Sequence, residues 1–275
     1  MQEYAKLTAV ATRLRRHIVS MVAEASSGHP GGSLSAVEIL TALYFDIMRV
    51  DNTRPTWSQR DLFVLSKGHA SPVLYAALAE RGFFDQEELL TFRKIDSRLQ
   101  GHPDRKLTPG VDMTSGSLGQ GLSAANGMAL AAKLDEHERW VYVLLGDGEL
   151  QEGQVWEAAM TSAHYKLDNV IAFVDYNNLQ IDGEVSSVME VAPLADKFRA
   201  FGWHVQEIDG HDFAQIFAAV TLAKEATGQP SVIIARTVKG KGVSYMENQA
   251  GWHGSAPNPE QAQQALKELE VDQDD

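Results

Sequence analysis

The chain has 275 residues, of which 44% are hydrophobic, and its formal net charge is −13. Such a chain can bury a substantial core, and it has no apolar run near the ~20 residues that a membrane span needs. The negative charge argues against extended contact with nucleic acid or an anionic membrane, so an anionic ligand would need a local site. Cysteine is absent, which excludes disulfides and thiolate metal sites and suits a reducing compartment, so we expect a cytoplasmic protein.

Helix-like and strand-like patterns alternate along the chain. In chain order they predict helices near 4–25 and 36–47, a strand at 62–66, helices at 71–81 and 119–134, a strand at 141–145, a helix at 154–165, strands at 170–175 and 204–208, a helix at 213–227 and a strand at 232–235. This alternation is typical of an α/β protein with a doubly wound, mostly parallel sheet and helices on both faces. No repeat or linker marks a boundary, so residues 1–275 are expected to form one domain.

Two of the predicted strands end in small polar residues, where ligands bind in doubly wound sheets. The carboxylate of Asp147, the amide oxygen of Asn177 and the backbone carbonyl of Leu179 could supply three oxygen ligands to Mg²⁺, with diphosphate oxygens and water completing its shell. Gly146 and Gly148 would let the backbone approach the phosphates. Either dipeptide alone, Asp-Gly or Asn-Asn, is a common turn former. Their joint position after two buried strands favours a metal-diphosphate site.

Several segments of the sequence resemble one enzyme family. GDG at 146–148 followed by NN at 177–178 resembles the thiamine diphosphate signature, and GDGELQEGQVWEA narrows the resemblance to transketolases. Further similar segments are SSGHPGGSLSAVEIL (26–40), DLFVLSKGHASPVLYAAL (61–78), GHPD (101–104), TSGSLGQGLSAANGMA (114–129), TVKGKG (237–242) and WHGSAPN (252–258). The resemblance implies the thiamine diphosphate-binding fold, with thiamine diphosphate and Mg²⁺ as cofactors.

Four histidines lie in glycine- or proline-flanked loops that match the family's active-site segments. The resemblance implies that His29, His69 and His102 surround the cofactor, hydrogen-bond the substrate and shuttle protons, and that His253 approaches the diphosphate and the reacting hydroxyl. Imidazole suits this work because its ordinary pKa lies near neutrality. The other five histidines have no such context and are interpreted as structural: His17, His137, His164, His204 and His211.

Other residues have two interpretations. By resemblance, Gly116 and Leu118 face the cofactor, although this loop could simply pack a helix start against a strand. Glu152 is either a helix cap or, as in the family, a catalytic member of a carboxylate network that reaches the other subunit's cofactor site. Lys239 and Lys241 either offset phosphate charge or are solvated loop lysines.

The similar motifs cover only the diphosphate-binding part of a transketolase. A fused transketolase continues for more than this length again, and SLS, LSKGHA and GDGELQEG resemble the split form more closely. The acidic ending of the chain is consistent with a natural terminus. The resemblance therefore implies an N-terminal subunit that needs a C-terminal partner with the pyrimidine-binding domain, in a heterotetramer. Lys67 stands where the fused family has a small residue, and it is a candidate contact for a partner or a substrate phosphate.

The activity implied by the resemblance is transfer of a two-carbon ketol unit from a ketose phosphate to an aldose phosphate. One alternative is another thiamine diphosphate enzyme, similar to 1-deoxyxylulose-5-phosphate synthase or to a 2-oxo acid decarboxylating subunit. The histidines of GHPGG and GHPD favour sugar handling over these. Another alternative is a non-catalytic, transketolase-derived binding subunit, which the presence of Asp147, Asn177 and all four loop histidines disfavours.

Overall fold

The computed structural model describes residues 4–270, and its centre is a five-stranded parallel sheet. In chain order the strands are β1 (Leu62–Leu65), β2 (Val141–Gly146), β3 (Val170–Tyr176), the short β4 (Leu179–Gln180) and β5 (Gly183–Glu184), β6 (His204–Asp209) and β7 (Ser231–Arg236). The sheet order is β1-β2-β3-β7-β6, while β4 and β5 form a separate antiparallel pair. The last acidic residues of the chain, 271–275, lie outside the described residues.

Ten α-helices occur among residues 4–270. They are α1 (Ala5–Ala25), α2 (Pro30–Leu34), α3 (Val37–Ala42), α4 (Ser71–Glu80), α5 (Gln120–Leu134), α6 (Gly153–His164), α7 (Val185–Val188), α8 (Leu194–Ala200), α9 (Phe213–Glu225) and α10 (Pro259–Glu268). The predicted helix at 36–47 is α3 continued by a π-helical turn, Leu43–Ile47. The sequence analysis predicted no helix or strand at α2, α7, α8, α10 or the β4–β5 pair.

The strands alternate their side chains between two hydrophobic cores, one on each face of the sheet. On β1, Phe63 and Leu65 belong to the core covered by α1, α3, α4 and α9, whereas Val64 belongs to the core under α5, α6 and α8. The same alternation continues along β2 and β3, because successive strand residues point to opposite faces. Helices on both faces of a parallel sheet confirm the predicted fold class.

The register of the central strands brings the two polar strand ends together. Gly146 of β2 pairs with Asp175 of β3, and Asp175 pairs in turn with Ala235 of β7. Asp147 and Asn177 therefore leave the sheet side by side at the same edge, as the sequence predicts for neighbouring parallel strands. Within residues 4–270, no helix combines the length and apolar character that crossing a membrane requires.

Candidate active site

A cavity of about 380 Å³ lies at the carboxyl edge of the sheet. All twelve residues that the sequence analysis assigned to catalysis, cofactor or metal line this cavity: His29, His69, His102, Gly116, Leu118, Gly146, Asp147, Gly148, Glu152, Asn177, Leu179 and His253. The five histidines interpreted as structural do not line it. The structure therefore brings the candidate residues together, while their individual roles remain predictions.

Asp147 is a buried carboxylate held by backbone donors. It accepts hydrogen bonds from the N–H groups of Gly148 at 2.8 Å, Asn177 at 2.9 Å and Asn178 at 2.5 Å. Burial, together with the nearby Asp175 carboxylate, raises the pKa of Asp147 to about 6. A cation beside Asp147 would relieve both effects, because it favours the ionised carboxylate.

The other two candidate metal ligands adjoin Asp147. Asn177 follows β3, and its Oδ1 accepts the N–H of Leu179 at 3.2 Å. The carbonyl oxygen of Leu179 faces a cation in this structure, since the ammonium of Lys239 donates to it at 2.7 Å. A carboxylate, an amide oxygen and a peptide carbonyl form a donor set that fits Mg²⁺, which prefers oxygen ligands.

The structure separates the two lysines of TVKGKG. Lys239 is only 3% exposed and lines the cavity. Burial and the neighbouring Lys67 lower the pKa of Lys239 to about 8, despite opposing attraction from Asp175 and Asp147. Lys241 lies outside the cavity and pairs with Glu247 at 3.5 Å. Of the two, Lys239 is the one placed to offset phosphate charge.

Beneath the cavity, Lys67 and Asp175 form a buried ion pair. Lys67 Nζ lies 2.5 Å from Asp175 Oδ2 and also donates to the Gly32 carbonyl at 2.6 Å. The Asp175 carboxylate further accepts the hydroxyls of Ser35 at 2.6 Å and Thr237 at 2.5 Å. Burial alone would raise the pKa of Asp175, but the Lys67 charge and these donors lower it. Lys67 is 2% exposed, so the expected contact with a partner chain is wrong. The expected contact with a substrate phosphate stays a prediction, since Lys67 lines the cavity.

Glu149 joins the glycine-containing turns that shape the cavity wall. Its carboxylate accepts the hydroxyl of Ser66 at 2.5 Å and the N–H groups of Gly119 at 2.8 Å and Gly146 at 3.0 Å. Because burial dominates, the pKa of Glu149 is raised. One buried side chain therefore fixes the ends of β1 and β2 and the start of α5 relative to each other.

The loop before α5 needs glycine at one position. Gly116 has φ of 149°, and a Cβ there would lie 3.1 Å from the ring of His102. Glu152 precedes α6 at its N-cap position, but its side chain makes no capping hydrogen bond. Its side chain is exposed at the cavity mouth, so Glu152 takes the N-cap position only through its backbone, and its expected role in a carboxylate network stays a prediction.

Three of the four loop histidines form a compact cluster. The ring centroids of His29 and His69 are 5.2 Å apart, those of His69 and His253 are 5.0 Å apart, and those of His29 and His253 are 5.6 Å apart. His102 lines the same cavity beside Gly116. Burial and nearby cations lower the pKa of His29 to about 4 and of His253 to about 3, and lower that of His69 well below its usual value. The expected proton shuttling assumes that the pKa of each imidazole lies near neutrality. In this structure the lowered pKa values keep these three rings neutral, so proton shuttling stays a prediction.

Arg93 determines the tautomer of His29. Its Nη2 lies 3.4 Å from His29 Nδ1, and its Nη1 donates to the hydroxyl of Ser27 at 2.8 Å. A guanidinium can only donate, so His29 Nδ1 accepts and the proton of the neutral ring lies on Nε2. The Nε of Arg93 is buried and has no hydrogen-bond partner among the described residues. Arg93 therefore makes His29 a donor at Nε2.

Several cavity residues were missed by the sequence reading, including Gly32, Glu149, Gln151, Asp175, Gln180 and Asp182. Asp175 carried a usable signal, since it is a carboxylate at the end of an otherwise apolar run. Glu149 could have been noted as an acidic residue within the glycine-rich turn after β2. Arg93 carried no comparable signal, because an isolated arginine in a polar segment is ordinarily solvated.

Comparison with known proteins adds family-level findings. Residues 7–275 match the family model described as transketolase, thiamine diphosphate binding domain. The chain is 49% identical over 257 residues to the 6-deoxy-6-sulfo-D-fructose transketolase subunit SqwG of Clostridium sp. (strain MSTE9), covering 94% of each chain. It is 44% identical over 255 residues to an apulose-4-phosphate transketolase subunit of Phocaeicola vulgatus, covering 93% of this chain and 90% of that one.

Longer transketolases are similar to the chain over part of their length. Transketolase of Homo sapiens is 43% identical over 269 residues, which are 98% of this chain and 42% of the human one. The crystal structure of transketolase from Campylobacter jejuni superposes with a TM-score of 0.90 at 36% identity, covering 96% of this chain and 42% of that chain. The chain thus spans less than half the length of these two proteins. Together with the cavity at the carboxyl ends of β2 and β3, these matches show that the chain belongs to the transketolase family and carries its thiamine diphosphate binding domain.

Proposed function

We propose that this chain is the diphosphate- and Mg²⁺-binding subunit of a two-subunit transketolase. The assembled enzyme would move a two-carbon ketol unit from a ketose phosphate to an aldose phosphate, in the cytoplasm. The observation that carries the proposal is the convergence of all twelve candidate residues on one cavity at the carboxyl edge of the sheet. Residues 1–275 would act as one domain.

The oxygen cluster would hold the metal and the diphosphate. Asp147, Asn177 and the Leu179 carbonyl would bind Mg²⁺, and Lys239 would move from the Leu179 carbonyl toward the phosphates. Gly116, Leu118, Gly146 and Gly148 line the same cavity and would allow close approach of the cofactor. Bound thiamine diphosphate would supply a nucleophilic thiazolium carbon and an electron sink.

The histidine cluster would orient the sugar and move its protons. With its proton on Nε2, His29 would donate a hydrogen bond to a sugar oxygen. His253 lines the same cavity, and its buried Nδ1 has no hydrogen-bond partner among residues 4–270. Because their pKa values are lowered, these neutral rings are weak bases, and proton transfer through them would require that the negative charge of bound cofactor raise those pKa values. His69 and His102 complete the wall of the cavity.

An apolar rim beside the cavity supports the need for a second chain. Ile181 is 69% exposed, Val188 is 43% exposed and Met189 is 62% exposed. Ile181 lines the cavity, and Gln151, another lining residue, donates to the carbonyl of Met189 at 2.8 Å. Exposed apolar groups next to a ligand site are typical of a surface that another protein covers. The complementary transketolase subunit would cover this rim, in a heterotetramer with two copies of each chain.

Reconstitution tests the reaction. The chain is combined with its complementary subunit, thiamine diphosphate and Mg²⁺, and assayed with xylulose 5-phosphate and ribose 5-phosphate, with other phosphorylated or sulfonated ketoses as further donors. We expect ketol transfer only when both chains are present. Robust turnover by this chain alone would contradict the two-subunit proposal, and consumption of pyruvate without ketol transfer would favour a decarboxylating enzyme.

A metal-binding measurement tests the proposed ligands without using activity. Electron paramagnetic resonance of Mn²⁺ in the presence of thiamine diphosphate should show binding to the wild-type chain and roughly 100-fold weaker binding to D147N, which loses the charged oxygen ligand. The control is D196N, whose carboxylate is 72% exposed on α8 and pairs with Arg199. Equal affinities of D147N and D196N would remove Asp147 from the metal site.

The apolar rim can be tested by charge insertion. The double variant I181E/M189E should keep its far-ultraviolet circular dichroism and lose at least about tenfold in affinity for the complementary subunit, because buried apolar anchors dominate protein interfaces. The matched control is L134E, since Leu134 is 83% exposed at the opposite end of α5 from the cavity. Unchanged association of I181E/M189E would move the interface elsewhere.

A further inference from the structure

His211, interpreted as structural from its sequence context, lies in a buried network behind the cavity. It follows β6, and its Nδ1 lies 2.8 Å from Glu38 Oε2. The backbone N–H of Val238 donates to its Nε2 at 2.9 Å. An imidazole nitrogen that accepts a hydrogen bond carries no proton, so Nε2 is bare and Nδ1 donates to Glu38. The two contacts together define one neutral tautomer.

Glu38 is itself held in place. Arg15 of α1 donates to both Glu38 oxygens, at 2.7 Å and 2.9 Å, and both residues are 7% exposed. The same arginine donates through Nε to the carbonyl of Lys241 at 3.0 Å. This network thus contacts the loop after β7 at two backbone groups. His211 accepts the N–H of Val238, and Arg15 donates to the carbonyl of Lys241.

The loop after β7, residues 237–242, places Lys239 in the cavity wall and Thr237 against a residue that lines the cavity. Thr237 donates to Asp175 at 2.5 Å, and Lys239 donates to Leu179 at 2.7 Å. Val238 lies between these two residues, and its N–H is the backbone donor that fixes the loop from the side of His211. The N–H groups of Thr237 and Gly240 fix it elsewhere, by donating to the carbonyls of Tyr176 and Gly31. A loop fixed at its backbone from behind loses less conformational entropy when a ligand binds in front.

We propose that His211 is a positioning residue for the cofactor: its bare Nε2 holds the Val238 N–H, and Glu38 and Arg15 hold the imidazole in that tautomer, so that Lys239 is presented to the diphosphate. This rests on the proposed function, since it concerns the diphosphate-binding loop of that site. His211 does not touch the cavity and acts through the loop.

Two isosteric substitutions separate the two hydrogen bonds of His211. In H211Q the amide oxygen can take the place of Nε2 and still accept the Val238 N–H, while the donor to Glu38 is lost. In H211N the amide nitrogen can take the place of Nδ1 and still donate to Glu38, while the acceptor for Val238 is lost. If the bond to the loop is what matters, glutamine rescues and asparagine does not.

The experiment measures the dissociation constant of thiamine diphosphate at saturating Mg²⁺, by calorimetry, for the full chain alone and with its complementary subunit. We expect H211N to bind about tenfold more weakly than the wild type and H211Q to stay within about threefold, because one hydrogen bond to the loop is lost only in H211N. The control is H204N, since the side chain of His204 on the edge strand β6 makes a single hydrogen bond among the described residues, to Ser231 at 3.4 Å. Equal affinities of H211N and H211Q overturn the inference, whatever their unfolding midpoints.

A second measurement uses the wild-type protein and therefore does not depend on the variants folding. Two-bond ¹H–¹⁵N correlation spectra, assigned through the backbone resonances of the wild type, should show His211 protonated at Nδ1 and bare at Nε2. A proton on Nε2 overturns the inference. Failure of the wild type to bind thiamine diphosphate, both alone and with its complementary subunit, would instead overturn the proposed function. The two failures are therefore distinguishable.

Discussion

The buried pair of Lys67 and Asp175 gives the sharpest test of how the cavity floor is built. Both side chains are 2% exposed, and their charged atoms are 2.5 Å apart. Removing one partner of such a pair costs about 3–5 kcal/mol, because it leaves a buried charge without compensation. In K67M, Asp175 keeps the hydroxyl donors Ser35 and Thr237, which compensate part of its buried charge. We therefore expect the free energy of unfolding to fall by about 3 kcal/mol, the lower end of that range.

The reverse substitution and the double variant complete a cycle. In D175N the Lys67 ammonium keeps its hydrogen bond to the Gly32 carbonyl, at 2.6 Å, but loses its charged partner. The loss in the free energy of unfolding should therefore equal or exceed that of K67M. K67M/D175N removes both charges and should be more stable than the sum of the single losses implies, with a coupling of roughly 2–3 kcal/mol. Urea unfolding followed by tryptophan fluorescence and circular dichroism measures each corner of the cycle.

The loss in K67M should also depend on pH. In the wild type the pKa of Asp175 is lowered, so its contribution to stability is present above the unfolded-state pKa and is lost as pH falls through the folded-state pKa. Without Lys67, burial raises the pKa of Asp175, and the variant loses stability as pH rises through that value. The deficit of K67M should therefore shrink as pH falls from neutrality toward the unfolded-state pKa of an aspartate, about 4. A deficit below about 1 kcal/mol at pH 8, or one that grows in acid, would refute the burial argument.

Two further predictions concern the cavity wall. R93Q should raise the pKa of His29 from about 4 toward its ordinary value, because burial is the larger cause of its lowering but the Arg93 charge is the next, and ¹⁵N chemical shifts would follow the titration. As pH falls, the imidazole of His29 protonates first in the unfolded state, so the wild type should lose stability between about pH 6.5 and about pH 4. R93Q should lose less stability over that range. An unchanged titration of His29 in R93Q would contradict the effect of the Arg93 charge. G121A should lower the free energy of unfolding in urea by about 1–3 kcal/mol, because the added methyl group would lie 2.8 Å from the Cα of Ser66. G127A in the same helix adds a methyl group with nothing within 4 Å, so its free energy of unfolding should rise by up to about 1 kcal/mol. Similar values for the two variants would show that the contact of α5 with Ser66 is loose.

Strand positions were predictable because their signal is local. β2 is the predicted strand 141–145 with one residue added at its end, and β7 is the predicted strand 232–235 with one residue added at each end. Both are continuous apolar runs, which is how strands buried on both faces read. The short helix α2 was missed because Pro-Gly-Gly has low helix propensity, yet Pro30 fits the first helical position and the whole segment is buried by its neighbours.

Site residues were predictable where a motif carries them and unpredictable where a partner is distant in sequence. Asp147 and Asn177 follow strands whose register could be inferred from the parallel arrangement. The Lys67–Asp175 pair joins residues 108 positions apart, and a lysine after a strand is ordinarily solvated, so nothing local identifies its partner. The role proposed for His211 likewise depends on Glu38 and Val238, which only the folded chain brings together.

The cavity draws its walls from segments that extend from His29 to His253 along the chain. No fragment that lacks either end of this span contains the whole binding surface, so occupancy should be a property of the completely folded protein. Ligand at 100 times its dissociation constant would then add about 2.7 kcal/mol to global stability through mass action. If the chain binds thiamine diphosphate as proposed, supply of that cofactor would also change how much of the polypeptide survives proteolysis.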